Sequence, residues 1–143
     1  MKLEKFKQLL IYETYLKKWV RPNSTDKILC GTWSWNEDGS VDVYGDVYLP
    51  LDSDSMFLKL PFKFGKVTGT FKVNDNELTT LENCPDEVGE TFLCSRNNLK
   101  SLEYAPKKVG ETFYCTKNRA GNFTQKEVRK YCDVADVRVG NLD

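Results

Sequence analysis

The chain has 143 residues, 40% of them hydrophobic and 13% aromatic, which is the composition of a globular domain rather than a disordered segment. Its 21 basic and 21 acidic side chains cancel, so the overall charge gives no electrostatic footprint for nucleic acid or an anionic membrane. The charge is unevenly spread, with seven basic and three acidic side chains in residues 1–30 and one basic against six acidic in residues 31–60.

Residues 2–20 read as an amphipathic helix. Leu3, Phe6, Leu9, Leu10, Leu16 and Val20 recur mostly at three- and four-residue steps, with Tyr12, Tyr15 and Trp19 beside the stripe. Lys2, Glu4, Lys5 and Lys7 interrupt any continuous apolar run, so no secretory signal peptide is expected, and nothing approaches the ~20 apolar residues of a membrane span. Pro22 and Asn23-Ser24-Thr25-Asp26 end the helix. Residues 29–35 and 40–49 then alternate apolar and polar side chains around the turn Asn36-Glu37-Asp38-Gly39, which predicts a hairpin with Val41, Val43, Val47 and Leu49 on one face.

The rest of the chain repeats. Phe71, Phe92 and Phe113 stand 21 residues apart, as do Val67, Val88 and Val109; Val73, Cys94 and Cys115; and Asn76, Asn97 and Asn118. Leu78 matches Leu99, Leu81 matches Leu102, and Pro85 matches Pro106. A degenerate earlier unit aligns at a 24-residue step: Val43 with Val67, Val47 with Phe71, Leu49 with Val73 and Asp52 with Asn76. The unit is V-x3-F-x-[VC]-x2-N-x-L-x2-L-x3-P. Asp54 and Ala120 stand where it asks for leucine, so the first coil is irregular and the last is cut short.

Two apolar residues separated by one, as in Phe92 and Cys94, share a face of a short strand. An Asn three residues later can close the turn that leaves the strand by bonding backbone groups between stacked turns. One such coil cannot bury its own face, whereas a stack makes a continuous core. The expected fold is therefore α+β and repetitive: a short solenoid with a small parallel sheet, one strand per coil. Residues 1–28 form an N-terminal capping helix and linker, 29–122 the hairpin and coils, and 123–143 a C-terminal cap. In that cap Thr124-Gln125-Lys126-Glu127 is a capping-box pattern opening a helix with Val128, Tyr131 and Cys132 on one side. Val134, Val137 and Val139 suggest a closing extended segment.

The strand pattern Phe92-x-Cys94-x2-Asn97-x-Leu99-x2-Leu102 resembles the leucine-rich repeat in a short bacterial-type form. The chain is more closely similar to leucine-rich-repeat-like proteins of large tailed bacteriophages. Those carry an Asp-Gly-Ser-Val-Asp-Val lead-in, here residues 38–43, and a Leu-Pro-Phe-Lys-Phe-Gly-Lys-Val segment, here residues 60–67. Repeats like residues 81–98 follow, and the similarity covers residues 31–139. The resemblance implies a phage-encoded product of the infected bacterial cytoplasm that binds, and modulates or inhibits, a host or defence protein.

The residues themselves argue against catalysis. Histidine, the commonest general base and metal ligand, is absent. The five cysteines lack the paired C-x2-C spacing of a zinc site, and Cys94 and Cys115 fit as small core residues in the column of Val73. They are expected to stay reduced. Glu37-Asp38 and Asp52-Ser53-Asp54 lack the full calcium-loop pattern and read as solvated turns; Gly65-Lys66 and Gly69 form no phosphate loop. Lys5, Lys17, Lys18 and Arg21 read as the wet side of the first helix. No cofactor and no metal are expected.

What remains is the outward side of the strands. Its first file is Tyr48, Lys72, Leu93 and Tyr114; a second is Pro50, Asn74, Ser95 and Thr116; a third is Leu51, Asp75, Arg96 and Lys117. Strand propensity alone would place some aromatics there. Tyrosine and arginine are also the usual anchors of protein interfaces. The expected function is a non-enzymatic protein-protein interaction module using Tyr48, Lys72, Asn74, Leu93, Arg96, Tyr114 and Lys117, with a protein partner and neither nucleic acid nor membrane. The alternatives are a structural, virion or self-assembling protein, which leaves homo-oligomers open, and an enzyme working through loop carboxylates.

Overall fold

Each V-x3-F spacing is a corner between two strands. The computed structural model describes residues 14–21, 31–49, 58–119, 121 and 123–140. Residues 14–19 are helical (α1) and lead into strand β1 (Val20–Arg21). A hairpin follows, in which β2 (Thr32–Trp35) pairs antiparallel with β3 (Val41–Tyr44). The chain then turns at Gly45 into β4 (Asp46–Tyr48). Three further coils repeat this pair of strands: β5 (Phe64–Val67) and β6 (Phe71–Lys72), β7 (Glu87–Val88) and β8 (Phe92–Leu93), β9 (Lys108–Val109) and β10 (Thr112–Thr116). Helix α2 (Gln125–Tyr131) and strand β11 (Asp136–Gly140) complete the described chain.

Two sheets result. A front sheet runs β1-β4-β6-β8-β10-β11, and a back sheet runs β2-β3-β5-β7-β9. Coil-to-coil pairing is parallel, while β1 and β2 join antiparallel. The repeat solenoid expected from the sequence is present, with about four coils and one correction: each coil contributes two strands, and the run 40–49 is split between sheets. Glycine explains the corner. Gly45 adopts φ +140, where a Cβ would collide with the Arg21 carbonyl oxygen. A Cβ on Gly89 would strike the Thr68 carbonyl, and one on Gly110 the Gly89 carbonyl.

Between the sheets lies the core. Val47, Phe71, Phe92 and Phe113 are buried and in register, and so are Val43, Val67, Val88 and Val109. Ring contacts run through the core: Phe64 meets Phe71 edge-to-face at 5.0 Å, Phe71 stacks on Phe92 at 6.0 Å, and Phe92 lies tilted against Phe113 at 5.0 Å. At the N-terminal end Phe62 stacks on Trp19, which stacks on Tyr15, so α1 lies against the first coils. Burying each phenylalanine contributes about 1.5–3 kcal/mol.

Asparagines stitch the coils from inside. Asn97 Oδ1 accepts from the Asn76 and Leu78 amides at 2.9 and 3.0 Å, and Asn97 Nδ2 donates to the Val73, Cys94 and Ser95 carbonyls. Asn118 repeats the bond one coil on, its Oδ1 accepting from Leu99 N at 3.2 Å. Asn76 Oδ1 is buried and has no partner among the described residues. Positions 52 and 54, which the 24-residue step assigns to that role, lie outside the described residues, as do residues 2–13, Pro50, Leu51 and Ala120.

Other expectations are corrected. Val20 continues into strand β1 rather than the helix. Ser95 and Thr116, expected in an exposed file, are buried: Asn74 Oδ1 accepts from Ser95 N at 2.8 Å, and Ser95 Oγ accepts from Thr116 N at 2.9 Å. In α2 the capping box is formed, and Val128 and Cys132 are buried while Tyr131 is 39% exposed. Strand β11 pairs parallel with β10.

Candidate contact face

Outward residues of the back sheet show how this repeat solvates a strand face. Lys66, Glu87 and Lys108 stand side by side in register, alternating in sign. Lys59 meets Glu82 at 3.1 Å, Lys63 meets Asp86 at 3.0 Å, and Lys66 meets Glu87 at 4.0 Å, each one coil along. Exposed pairs of this kind contribute about 0–1 kcal/mol each, but a one-coil slip would set like charges together.

The front sheet carries a different file at the equivalent place. Tyr48, Lys72, Leu93 and Tyr114 lie in register on β4, β6, β8 and β10, and Arg138 on β11 extends the row. Tyr48 sits beneath two cations, with the Arg21 guanidinium 5.5 Å and the Lys72 ammonium 5.9 Å from its ring centroid. Partial burial pushes the Tyr48 hydroxyl pKa up, Asp46 adds to the rise, and Arg21 opposes it. Arg21 reaches this place because β1 pairs antiparallel with β4, setting Arg21 opposite Asp46.

Beyond the file runs a polar seam and then a turn. Asn74 belongs to the seam, with its Oδ1 occupied by the Ser95 amide. The turn holds Asp75, Arg96 and Lys117 at φ +59, +54 and +54. Their amides donate to the next coil: Asp75 to Ser95, Arg96 to Thr116 and Lys117 to Gly140. Arg96 lies 4.0 Å from Asp75. A groove of about 440 Å³ opens here, lined by Asp75, Glu77, Arg96, Lys117 and Arg119, with Asn97 and Asn98 at its floor.

The seven residues picked from the sequence thus fall into two files and a seam on one side of the molecule. Tyr48, Lys72, Leu93 and Tyr114 form the first file, Arg96 and Lys117 belong to the turn, and Asn74 lies between. Sequence reasoning missed Arg138, Arg21 and Arg119. Arg138 was readable, since Val137 and Val139 repeat Phe113 and Cys115 at a 24-residue step.

The other chemistry-bearing groups are occupied by structure. Asp38 accepts from both the amide and the hydroxyl of Ser40, which holds its carboxyl below the usual range and closes the hairpin turn. Cys84, Cys94, Cys115 and Cys132 are buried free thiols; burial pushes Cys84 and Cys94 well up, and Cys132 to about 11. A protonated thiol is a poor nucleophile. Cys30, Asp52 and Asp54 lie outside the described residues. Among the described residues no three His, Cys, Asp or Glu side chains gather at metal-holding distance, and no helix is long and apolar enough to cross a membrane.

Comparison with protein families, with curated proteins and with solved structures finds no match to this chain.

Proposed function

We propose that the protein is a non-enzymatic protein-binding module whose contact surface is the front face. One observation carries this reading. The back sheet's outward residues Lys66, Glu87 and Lys108 are all charged, whereas the front file places Tyr48, Leu93 and Tyr114 in one row with Lys72 and Arg138. Since both faces are built by one repeat, strand propensity does not account for their difference. Aromatic and arginine side chains on a rigid, preformed surface are what a protein interface uses as anchors.

On this reading the coils are a variant of the leucine-rich repeat. Helix α1 with the hairpin, and α2 with β11, are its caps, covering ends that would otherwise expose core and strand edges. As part of this proposal, the resemblance of residues 38–43 and 60–67 to phage repeat proteins implies a product acting in the bacterial cytoplasm on a host or defence protein.

Affinity capture from bacterial lysate tests the assignment by comparing the wild-type chain with a Leu93→Ser/Tyr114→Ser variant of unchanged circular dichroism. The double variant is expected to lose the captured partner. Equal capture would remove the front face from consideration, and a large homo-oligomer held together by this face would favour a self-assembling subunit.

A further inference from the structure

One column of the core carries sulfur. Cys94 follows β8 and Cys115 lies in β10, and the ladder between them stays in register. Phe92 faces Phe113, Leu93 faces Tyr114, and the Cys94 and Arg96 amides donate to the Tyr114 and Thr116 carbonyls. The two cysteines are therefore neighbours on parallel chains, with both side chains on the core face, buried and interacting. Val73 fills the same column one coil earlier, and Val139 pairs with Cys115 one coil later. Valine satisfies the packing of this column, so packing alone does not ask for two adjacent thiols.

Spacing decides what the pair suits. Neighbouring parallel strands lie about 4.8 Å apart. A disulfide brings its Cβ atoms to about 3.8 Å, so joining the two sulfurs directly would pull the coils together. Two thiolates that share one ion, each at about 2.3 Å, stand about 4.6 Å apart, close to the strand spacing. The surroundings suit sulfur as a ligand. Asn118 Nδ2 donates to Cys115 Sγ at 3.2 Å, an outer contact of the kind that steadies a bound thiolate. Cys94 Sγ donates to the Tyr114 carbonyl at 3.4 Å, and that carbonyl keeps the Cys94 amide when the thiol proton leaves. Among the described residues no third His, Cys, Asp or Glu completes a cluster, so an ion that needs four protein ligands, such as structural zinc, is not served. Soft ions that accept thiolates alone are.

We propose that Cys94 and Cys115 bind one soft monovalent cation of the Cu(I) class, as a two-thiolate site that bridges the third and fourth coils. The ion replaces the two thiol protons, and no oxidation state changes. Among the described residues β11 is the last strand of the front sheet, so a single strand lies between Cys115 and the end of the stack, and local opening there admits the ion.

Anaerobic titration of the reduced, intact chain with Cu(I), supplied as its acetonitrile complex, tests the assignment. Native mass spectrometry is expected to show one ion per chain, X-ray absorption to show two sulfur ligands, and the melting temperature to rise on binding. Cys94→Val and Cys115→Val should each weaken binding about tenfold or more, whereas Cys84→Ala and Cys132→Ala bind as the wild type does. Valine already occupies this column, so the metal-free valine variants should melt close to the wild type, which separates lost binding from lost folding. The sulfur count on the wild-type chain stands whatever the stability of the variants. No binding, an ion held by three or more sulfurs or by nitrogen and oxygen, full affinity in either valine variant, or lost affinity in Cys84→Ala would each overturn the inference.

Discussion

Asn97 is the residue on which adjacent coils hang. Its amide makes five hydrogen bonds to backbone groups, all out of reach of solvent. Replacing it by alanine takes the partner from two buried amides and from the Val73 carbonyl, and should cost about 3–5 kcal/mol in urea denaturation. Asn118→Ala, which removes fewer bonds, should cost less. A loss below about 1 kcal/mol for Asn97→Ala would mean that the ladder does not hold the stack. The sequence showed the asparagine column and its turn-closing role. It did not show that Ser95 and Thr116 belong to a second, buried ladder, because a small polar residue suits either a wet face or a hydrogen-bonded seam.

Cys132 gives a residue-scale test of burial. Its thiol is pushed up to about 11, chiefly by burial, with Asp133 adding to the rise. The folded state thus retains a proton that the unfolded chain releases at lower pH. The stability from this group is full below the unfolded pKa and is lost as pH rises through the folded value. Urea midpoints should fall between about pH 9 and 11, and Cys132→Ala should flatten that decline. An identical alkaline slope in both proteins would show that the thiol is not shielded.

At the scale of elements the corner is the decisive device. Gly89 and Gly110 let one strand turn into the next beneath a neighbouring carbonyl. Alanine at either site must displace backbone, so each substitution should cost about 3 kcal/mol or more. Gly39 sits at φ +86 in open space, and Gly39→Ala should cost only about 1 kcal/mol. Thermal denaturation of the three variants checks the order, and equal losses would contradict the corner geometry. The V-x3-F spacing was visible in the sequence, yet it suggested one strand per coil. Strands such as Glu87–Val88 are two residues long, too short for alternation to announce them. One of the three residues that lengthen the first step from 21 to 24 is visible in the sheet. An extra residue enters β5 where Val41 pairs with Phe64 but Val43 with Val67.

At the scale of the molecule, one repeat builds two faces with different surfaces. The back face is a ladder of alternating charge, and the front face is a row of aromatic, aliphatic and cationic side chains. Much of the front face was legible, because register follows from a fixed repeat: Tyr48, Lys72, Leu93 and Tyr114 had to align once the coils stacked. Arg21 was not legible, since β1 is antiparallel and stands outside the repeat. The groove at Arg96, Lys117 and Arg119 depends on a left-handed turn that residue types such as Arg and Lys do not signal.

Hydrogen–deuterium exchange of the chain, with and without a bound peptide or protein partner, tests the face assignment most directly. The front-face account predicts slower exchange on binding in segments 70–75, 91–96 and 112–117, with segments 64–68, 87–89 and 108–110 unchanged. Protection confined to those back-sheet segments would contradict it.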